Sequence, residues 1–273
     1  MLLKFNPKGI DGMPFIHANG LEYYQFELFG NQVTHAVFTR KGGVSPRPWA
    51  SLNLGGTVGD SRENVIENRR RIFETLGIEV SSIFDVWQVH SDKVIFTQKS
   101  RPLDQPHEKG DAIVTKNPDV TLFMRFADCV PILLFDPVQR VIGLIHAGWK
   151  GTVQKITSKT VCFMVEHFDC QPDNILAGIG PSIGVDHYLI GEDVARKVKE
   201  TFGTKASHVL STTNGLIHFD LWAANEILLR EVGVKSIEVS EQCTACDLER
   251  WFSHRAEQGS TGRFAALIKL HQS

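Results

Sequence analysis

Between residues 82 and 148 the chain carries six apolar runs: SIFDVWQVH, KVIFTQ, DAIVT, TLFMRF, PILLFDP and RVIGLIHAG. Val, Ile and Phe dominate them, and none is long enough for a good helix. Strands satisfy their backbone donors and acceptors only against other strands, so this block demands a sheet. The last two runs read as neighbours joined by a tight turn at Pro137. Further strands are expected over 14–38, broken around Asn19-Gly20 and Gly30-Asn31, and at NILAGIG, SIEVS and FAALIKL.

Helices separate these groups. GDSRENVIENRRRIFETLG predicts a first helix capped by Asp60, with Glu63 at the reciprocal capping-box position and Gly77 as its left-handed stop. Val65, Ile66, Arg69, Ile72, Phe73 and Leu76 would share its inner side. A second helix is expected over 151–168, a third at VARKVKETFG, and a fourth at DLWAANEILLREVG, capped by Asp220 and stopped by Gly233. The helices punctuate groups of strands rather than alternate with single ones. The pattern points to an α/β architecture of mixed sheets, not a doubly wound nucleotide fold. No G-x-G-x-x-G follows a strand, and no phosphate-binding P-loop is present.

With 273 residues, 42% of them hydrophobic and 22% charged, the chain has enough apolar content for a large core, and general disorder is excluded. No tandem repeat or polar linker divides it, so one domain over 1–273 is expected. The formal net charge of −2 weighs against a general nucleic-acid binder but permits a small anion held by a few arginines. Lys4, Asn6 and Pro7 interrupt any leader-like apolar stretch, and no run approaches a membrane span, so a cytoplasmic protein without membrane contact is expected. Five scattered cysteines are too few for a disulfide framework. Apolar surface and core look alike in a sequence, which leaves oligomeric state open.

His90, Cys129 and His146 each stand at or just past the end of an apolar run, where side chains converge while the backbone stays rigid. Two imidazoles and a thiolate suit Zn²⁺ with a fourth position left for water or substrate. Asp111 and Asp128 are nearby candidates to orient ligands or move protons. The plainer alternative is a pair of hydrogen-bonded histidines and a buried thiol. Gly148 and Gly151 follow His146 where a strand turns into a helix, and would let backbone approach a ligand. Arg40, Lys41, Gly42 and Gly43 form a candidate anion loop, and Ser253, His254, Arg255 and Arg263 a candidate rim. The Cys243–Cys246 pair lacks two further zinc ligands at matching spacing and reads as structural or incidental. Trp149, between two glycines, is the tryptophan placed to stack on a planar ligand.

Seven ordered blocks, FTRKGGVSPRPWASLNLG, WQVHSDKV, GDAIVT, FADCVPILLFDP, GLIHAGWKGTV, GIGPSIG and CTAC…WFSHRAEQGSTGR, together resemble the bacterial laccase-domain family. This YfiH/YlmD group is now regarded as purine nucleoside phosphorylases. The resemblance implies a four-layer αββα sandwich of two mixed sheets with helices outside. It places zinc on His90, Cys129 and His146, the arginine-glycine loop on Arg40 to Gly43, the SLN segment on Ser51 to Asn53, and an acidic position on Asp111. It also implies phosphorolysis of adenosine, inosine, guanosine and methylthioadenosine, and deamination of adenosine.

On that basis Arg40, Gly42, Gly43, Asn53 and, less directly, Arg255 are expected to hold nucleoside or phosphate, and Asp111 to shuttle protons. Two competing chemistries use the same trio. Copper on a Cys/His₂ site would allow one-copper phenol oxidation, although the eleven histidines include no His-x-His pair for a copper cluster. Alternatively Cys129 could serve as the nucleophile of a thiol hydrolase, with His90 or His146 as base.

Overall fold

The computed structural model describes residues 15–272; the leader reading and the first residue of the 14–38 strand region lie outside them. The chain opens with strands β1 (Phe15–Ala18), β2 (Leu21–Tyr24) and β3 (Val33–Phe38), followed by helix α1 (Arg62–Thr75). Then come β4 (Ile83–Phe84), β5 (Val94–Phe96), β6 (Ala112–Thr115), β7 (Thr121–Phe126), β8 (Val130–Asp136) and β9 (Val141–Ala147). Helices α2 (Trp149–Val153) and α3 (Ile156–Phe168) lead to β10 (Leu176–Ile179) and β11 (Leu189–Ile190). After α4 (Glu192–Phe202) come β12 (Leu210–Thr213), β13 (Leu216–Phe219) and α5 (Leu221–Glu231), and β14 (Ser236–Val239) and β15 (Phe264–Leu270) finish the chain.

Two six-stranded sheets result, ordered β1-β2-β3-β15-β7-β4 and β14-β10-β8-β9-β6-β5, beside a three-stranded sheet β11-β13-β12. Both large sheets are mixed: β4 runs parallel to β7, β14 to β10 and β5 to β6, whereas the other pairs are antiparallel. The fold is a mixed α+β one. Period-two alternation explains how the central strands serve two cores. On β8 and β9, Leu133, Phe135, Ile142 and Leu144 pack against Leu122, Met124 and Phe126 of β7 and Phe264, Ala266 and Ile268 of β15. The intervening Ile132, Leu134, Val141 and Ile145 face α3 and α5 through Val161, Met164, Leu228 and Leu229. Every residue of β8 and β9 is buried, so these strands read as continuous apolar runs. Across the other sheet, Ile72 and Phe73 of α1 meet Phe38, Phe123 and Leu267.

Several local expectations shift. Ser61, not Asp60, caps α1: its side chain accepts from the Asn64 amide. Asp60 instead ties the preceding loop together, accepting from Ser45 Oγ at 2.6 Å and Asn53 Nδ2 at 2.9 Å. Ile66 is 56% exposed rather than inward. The helix expected over 151–168 is two helices, because Lys155 is left-handed (φ 62°); Thr201 Oγ1 donates to the Val153 carbonyl at the break. Strands β12 and β13 were not foreseen, although Asn214 and Gly215, both at positive φ, form the turn between them.

Candidate active site

The β8–β9 ladder sets the site. Its register pairs Val130 with Ala147 and Pro131 with His146, so Cys129, one residue before β8, lies beside the end of β9. His90 arrives from the β4–β5 loop in a left-handed conformation, φ 59°. One donor atom from each of His90, Cys129 and His146 lies within 4.8 Å of the others. The His90 and His146 rings meet edge to face, centroids 4.9 Å apart. Gly148 completes the cradle: a Cβ there would stand 2.7 Å from Cys129 Sγ and 3.1 Å from His90 Cδ2. A soft thiolate and two imidazoles converging over a space no side chain may enter fit a zinc or copper ion.

Asp111 holds the trio from behind. It is fully buried one residue before β6, and its Oδ1 accepts from His146 Nδ1 at 2.9 Å and from the His90 amide at 3.0 Å. Its Oδ2 accepts from the Ser91 amide and hydroxyl at 2.6 and 2.7 Å and from the Val89 amide at 3.2 Å. Burial alone would raise its pKa, but the His146 hydrogen bond and charge, with the Ser91 donors, hold it at about 2. Burial likewise opposes ionisation of Cys129, yet the His146 charge and hydrogen bonds from His146 and His90 bring its thiol down to about 6. His146 is the counterpart: against burial, the Cys129 charge and the Asp111 hydrogen bond raise it to about 9. Together the shifts describe a thiolate–imidazolium pair at neutral pH, in which a metal ion would take the place of the His146 proton. With both oxygens engaged and no exposure, Asp111 positions His146. Of the two roles expected of Asp111, orienting a ligand is the one these contacts support.

The trio opens on a pocket of about 600 Å³. Four guanidinium groups line it, Arg69, Arg125, Arg255 and Arg263, with Trp87 at 48% exposure. Burial, then the charge of Arg125, lowers Arg69 to about 10, still cationic at neutral pH. Arg125 leans on Asp85 through Nη1 at 3.0 Å. Arg255 stacks over Tyr188, 5.1 Å from the ring centre, and its amide donates to Asp128 Oδ2 at 2.7 Å. Asp128 is itself left-handed, φ 84°, and its Oδ1 accepts from Thr244 Oγ1. Strained non-glycine backbone at both His90 and Asp128 marks the kind of over-determined position found at functional sites.

Of the residues expected from the sequence, His90, Asp128, Cys129, His146, His254, Arg255 and Arg263 share this pocket. Arg40 does not: it lines a separate cavity of about 740 Å³. Its Nε donates to the Ala50 carbonyl, and its Nη1 to the Leu248 and Trp251 carbonyls and Glu257. The Gly43 amide donates to Ser51 Oγ, and a Cβ at Gly42 would strike the Gly20 carbonyl, so close chain packing explains both glycines. Buried Asn53 bridges the Gly55 and Arg263 amides to the Asp60 carboxylate. These four residues build the loop instead of facing the trio. Trp149 lies in α2 against the helical core, with Lys197 over its ring; Trp87 takes the pocket position instead. Arg69 and Arg125 were missed as pocket residues because Arg69 reads as part of the inner side of α1 and Arg125 sits inside an apolar strand run.

The site and fold together define a pocket built around three side chains that could hold a metal ion. Residues 34–271 match the family described as multi-copper polyphenol oxidoreductase laccase, and the chain belongs to that YfiH/YlmD laccase-domain family, now classified as purine nucleoside phosphorylases. It is 38% identical over 260 residues to a purine nucleoside phosphorylase of Deinococcus radiodurans, covering 95% of this chain and 94% of that one. It is 33% identical over 260 residues to purine nucleoside phosphorylase YlmD of Bacillus subtilis, covering 92% and 94%. The crystal structure of YlmD from Geobacillus stearothermophilus is similar with a TM-score of 0.89 at 32% identity, covering 95% of this chain and 100% of that one.

Proposed function

We propose that this chain is a purine nucleoside phosphorylase that holds zinc on His90, Cys129 and His146. Its proposed substrates are adenosine, inosine, guanosine and methylthioadenosine, with deamination of adenosine as a second activity. The convergence of the trio, four guanidinium groups and Trp87 in one pocket carries this reading. Phosphorolysis breaks the bond between the sugar's anomeric carbon and the purine nitrogen while a phosphate oxygen bonds to that carbon. The arginine wall binds the phosphate, and a dianion beside Arg69 offsets its repulsion from Arg125. Trp87 presents a planar apolar face to the purine. Asp111 fixes the His146 ring through Nδ1, leaving Nε2 as the nitrogen facing the ligand space. Zinc, when bound, supplies Lewis-acid polarisation of a substrate oxygen or water.

The packing of two sheets on one core with helices on outer faces supports the four-layer αββα sandwich, and the family match over 34–271 supports a single domain. All five cysteines are free, which supports a reducing, cytoplasmic setting. Among the described residues no helix is long and apolar enough to cross a membrane.

A second reading rests on the lowered Cys129 thiol beside His146, the pairing a thiol hydrolase requires. Incubation of zinc-loaded protein with adenosine, and in parallel with inosine, guanosine and methylthioadenosine, with and without phosphate, separates the readings. Adenine and ribose 1-phosphate formed only with phosphate support phosphorolysis; inosine in both arms supports deamination. No turnover of any of the four nucleosides overturns the proposal. A copper-loaded arm with a phenol substrate, and a metal-free arm with thiol-reactive esters, then test the alternatives.

A further inference from the structure

The Cys243-Thr-Ala-Cys246 turn follows β14, and Asp186-His187 lies on the loop between β10 and β11. The fold closes these two loops on each other. The Ser182 amide donates to the Gln242 carbonyl at 3.1 Å, and the Thr244 amide to the Ser182 carbonyl at 2.9 Å. As a result, one donor atom from each of Asp186, His187, Cys243 and Cys246 lies within 4.8 Å of the other three. Cys243 Sγ and Cys246 Sγ stand 3.8 and 3.5 Å from His187 Nδ1. Cys246 Sγ is 3.7 Å from Asp186 Oδ2, and that oxygen is 3.1 Å from His187 Nδ1.

From these distances we infer that Asp186, His187, Cys243 and Cys246 form a second metal site, separate from the trio, that takes zinc in a closed tetrahedral shell. Bond lengths of about 2.0–2.3 Å from zinc to oxygen, nitrogen and sulfur put tetrahedral ligand atoms about 3.3–3.8 Å apart. The observed spacings match that range with small adjustments. The Gly184 amide donates to Cys243 Sγ at 3.2 Å, a bond that stabilises a thiolate. A Cβ at Gly184 would lie 3.2 Å from that sulfur and 2.8 Å from Asp186 Oδ1, so a glycine is needed for the loop to wrap the site. Two sulfurs, an imidazole and a carboxylate select zinc over hard cations, and four protein ligands leave no open position for chemistry. Neither further ligand lies near Cys243 in sequence: His187 is 56 residues upstream of it.

The site's role follows from its neighbours. His187 precedes Tyr188, which lines the main pocket and carries the Arg255 guanidinium on its ring. Thr244, between the two cysteines, donates to Asp128. Zinc here staples the wall that presents Tyr188 and Arg255, and the assignment stands whether or not the phosphorolysis proposal holds.

The test reads metal and thiols, not activity. Protein purified under reducing conditions with zinc is analysed by elemental mass spectrometry beside C129S and C243S/C246S. Two zinc ions per wild-type chain, falling to one in each variant, is the expected result. Zinc content unchanged in C243S/C246S overturns the assignment. To cover misfolding of that variant, folded wild-type protein is alkylated and Cys243 and Cys246 are followed by peptide mass spectrometry. Both thiols should be protected until a strong chelator is added, despite the exposure of Cys246. Prompt labelling without chelator, or a Cys243–Cys246 disulfide in reduced, zinc-supplied protein, also overturns it.

Discussion

Asp111 Oδ1 accepts a hydrogen bond from His146 Nδ1 at 2.9 Å, and the His146 amide donates to the Asp111 carbonyl at 2.7 Å. One residue thus fixes both the backbone and the ring of a metal-ligand candidate. In Asp111→Asn the amide cannot accept from all the donors that surround the carboxylate. Metal affinity is expected to fall about 10–100-fold, with a stability loss of about 3 kcal/mol from unpaired buried donors. Competition against a chromophoric chelator, at a temperature where the variant is folded, reads the first effect. Unchanged affinity would remove Asp111 from the metal centre.

Gly148 offers a sharper probe of the cradle. Its φ of −78° suits any residue, so Gly148→Ala brings no backbone strain. The added methyl falls against Cys129 Sγ and His90. The variant should fold with a stability loss of about 1–3 kcal/mol from the crowding yet bind metal at least about tenfold more weakly, since small displacements of first ligands cost that much. Equal affinity by the same chelator competition would mean that no ion occupies the space.

Trp87→Ala should raise KM for nucleoside about tenfold or more with little change in kcat, because stacking on a base contributes about 1–3 kcal/mol. Steady-state kinetics at saturating phosphate measures it. A loss confined to kcat would move the purine elsewhere in the pocket.

His35 is buried beside Phe26 and Phe29, and its Nε2 accepts from the Phe26 amide at 2.9 Å. Burial lowers its pKa from 6.5 to about 4. Between those values the unfolded chain binds a proton that the folded chain refuses. The stabilisation is therefore complete above pH 6.5 and lost as pH falls towards 4, by about 3 kcal/mol. Urea unfolding of wild type and His35→Gln at pH 7 and 4.5 should show a clearly smaller acid loss in the variant. Parallel losses in both would refute this.

Arg40 stacks on Phe252, 4.3 Å from the ring centre, besides bridging Glu257 and three carbonyls. Arg40→Ala should cost about 2–4 kcal/mol of stability, since its partners stay partly buried and unpaired. KM for phosphate should stay within about twofold. A stable variant with a greatly raised KM would return this loop to phosphate binding.

The strand block over 82–148 was legible because its short, apolar, β-branched runs are a local signal, and so were the Asp220 cap and the Gly233 stop. Even there, one residue of cap placement escaped: Asp60 and Ser61 are both good caps, and Asp60 was claimed by Ser45 and Asn53 across the loop. His90, Cys129 and His146 could be singled out because each ends an apolar run. Their approach within 4.8 Å depends on the β8–β9 register and on Asp111 recruiting the His90 loop. Arg40 and Arg69 show the opposite error. An arginine before two glycines looks free to bind an anion, and one inside a helix pattern looks structural, but a long side chain goes where distant carbonyls and cavities lie.

By itself, then, the sequence determined most of the strand and helix content, the mixed class and the family, all properties of short-range pattern and ordered motifs. Tertiary structure alone decided which arginines share a pocket with the trio, and that Asp186 and His187 meet Cys243 and Cys246. The physical reason is sheet order. Strands β10 and β14 are distant in the chain but hydrogen-bonded neighbours, so the loops that follow them meet through a pairing that no local signal encodes.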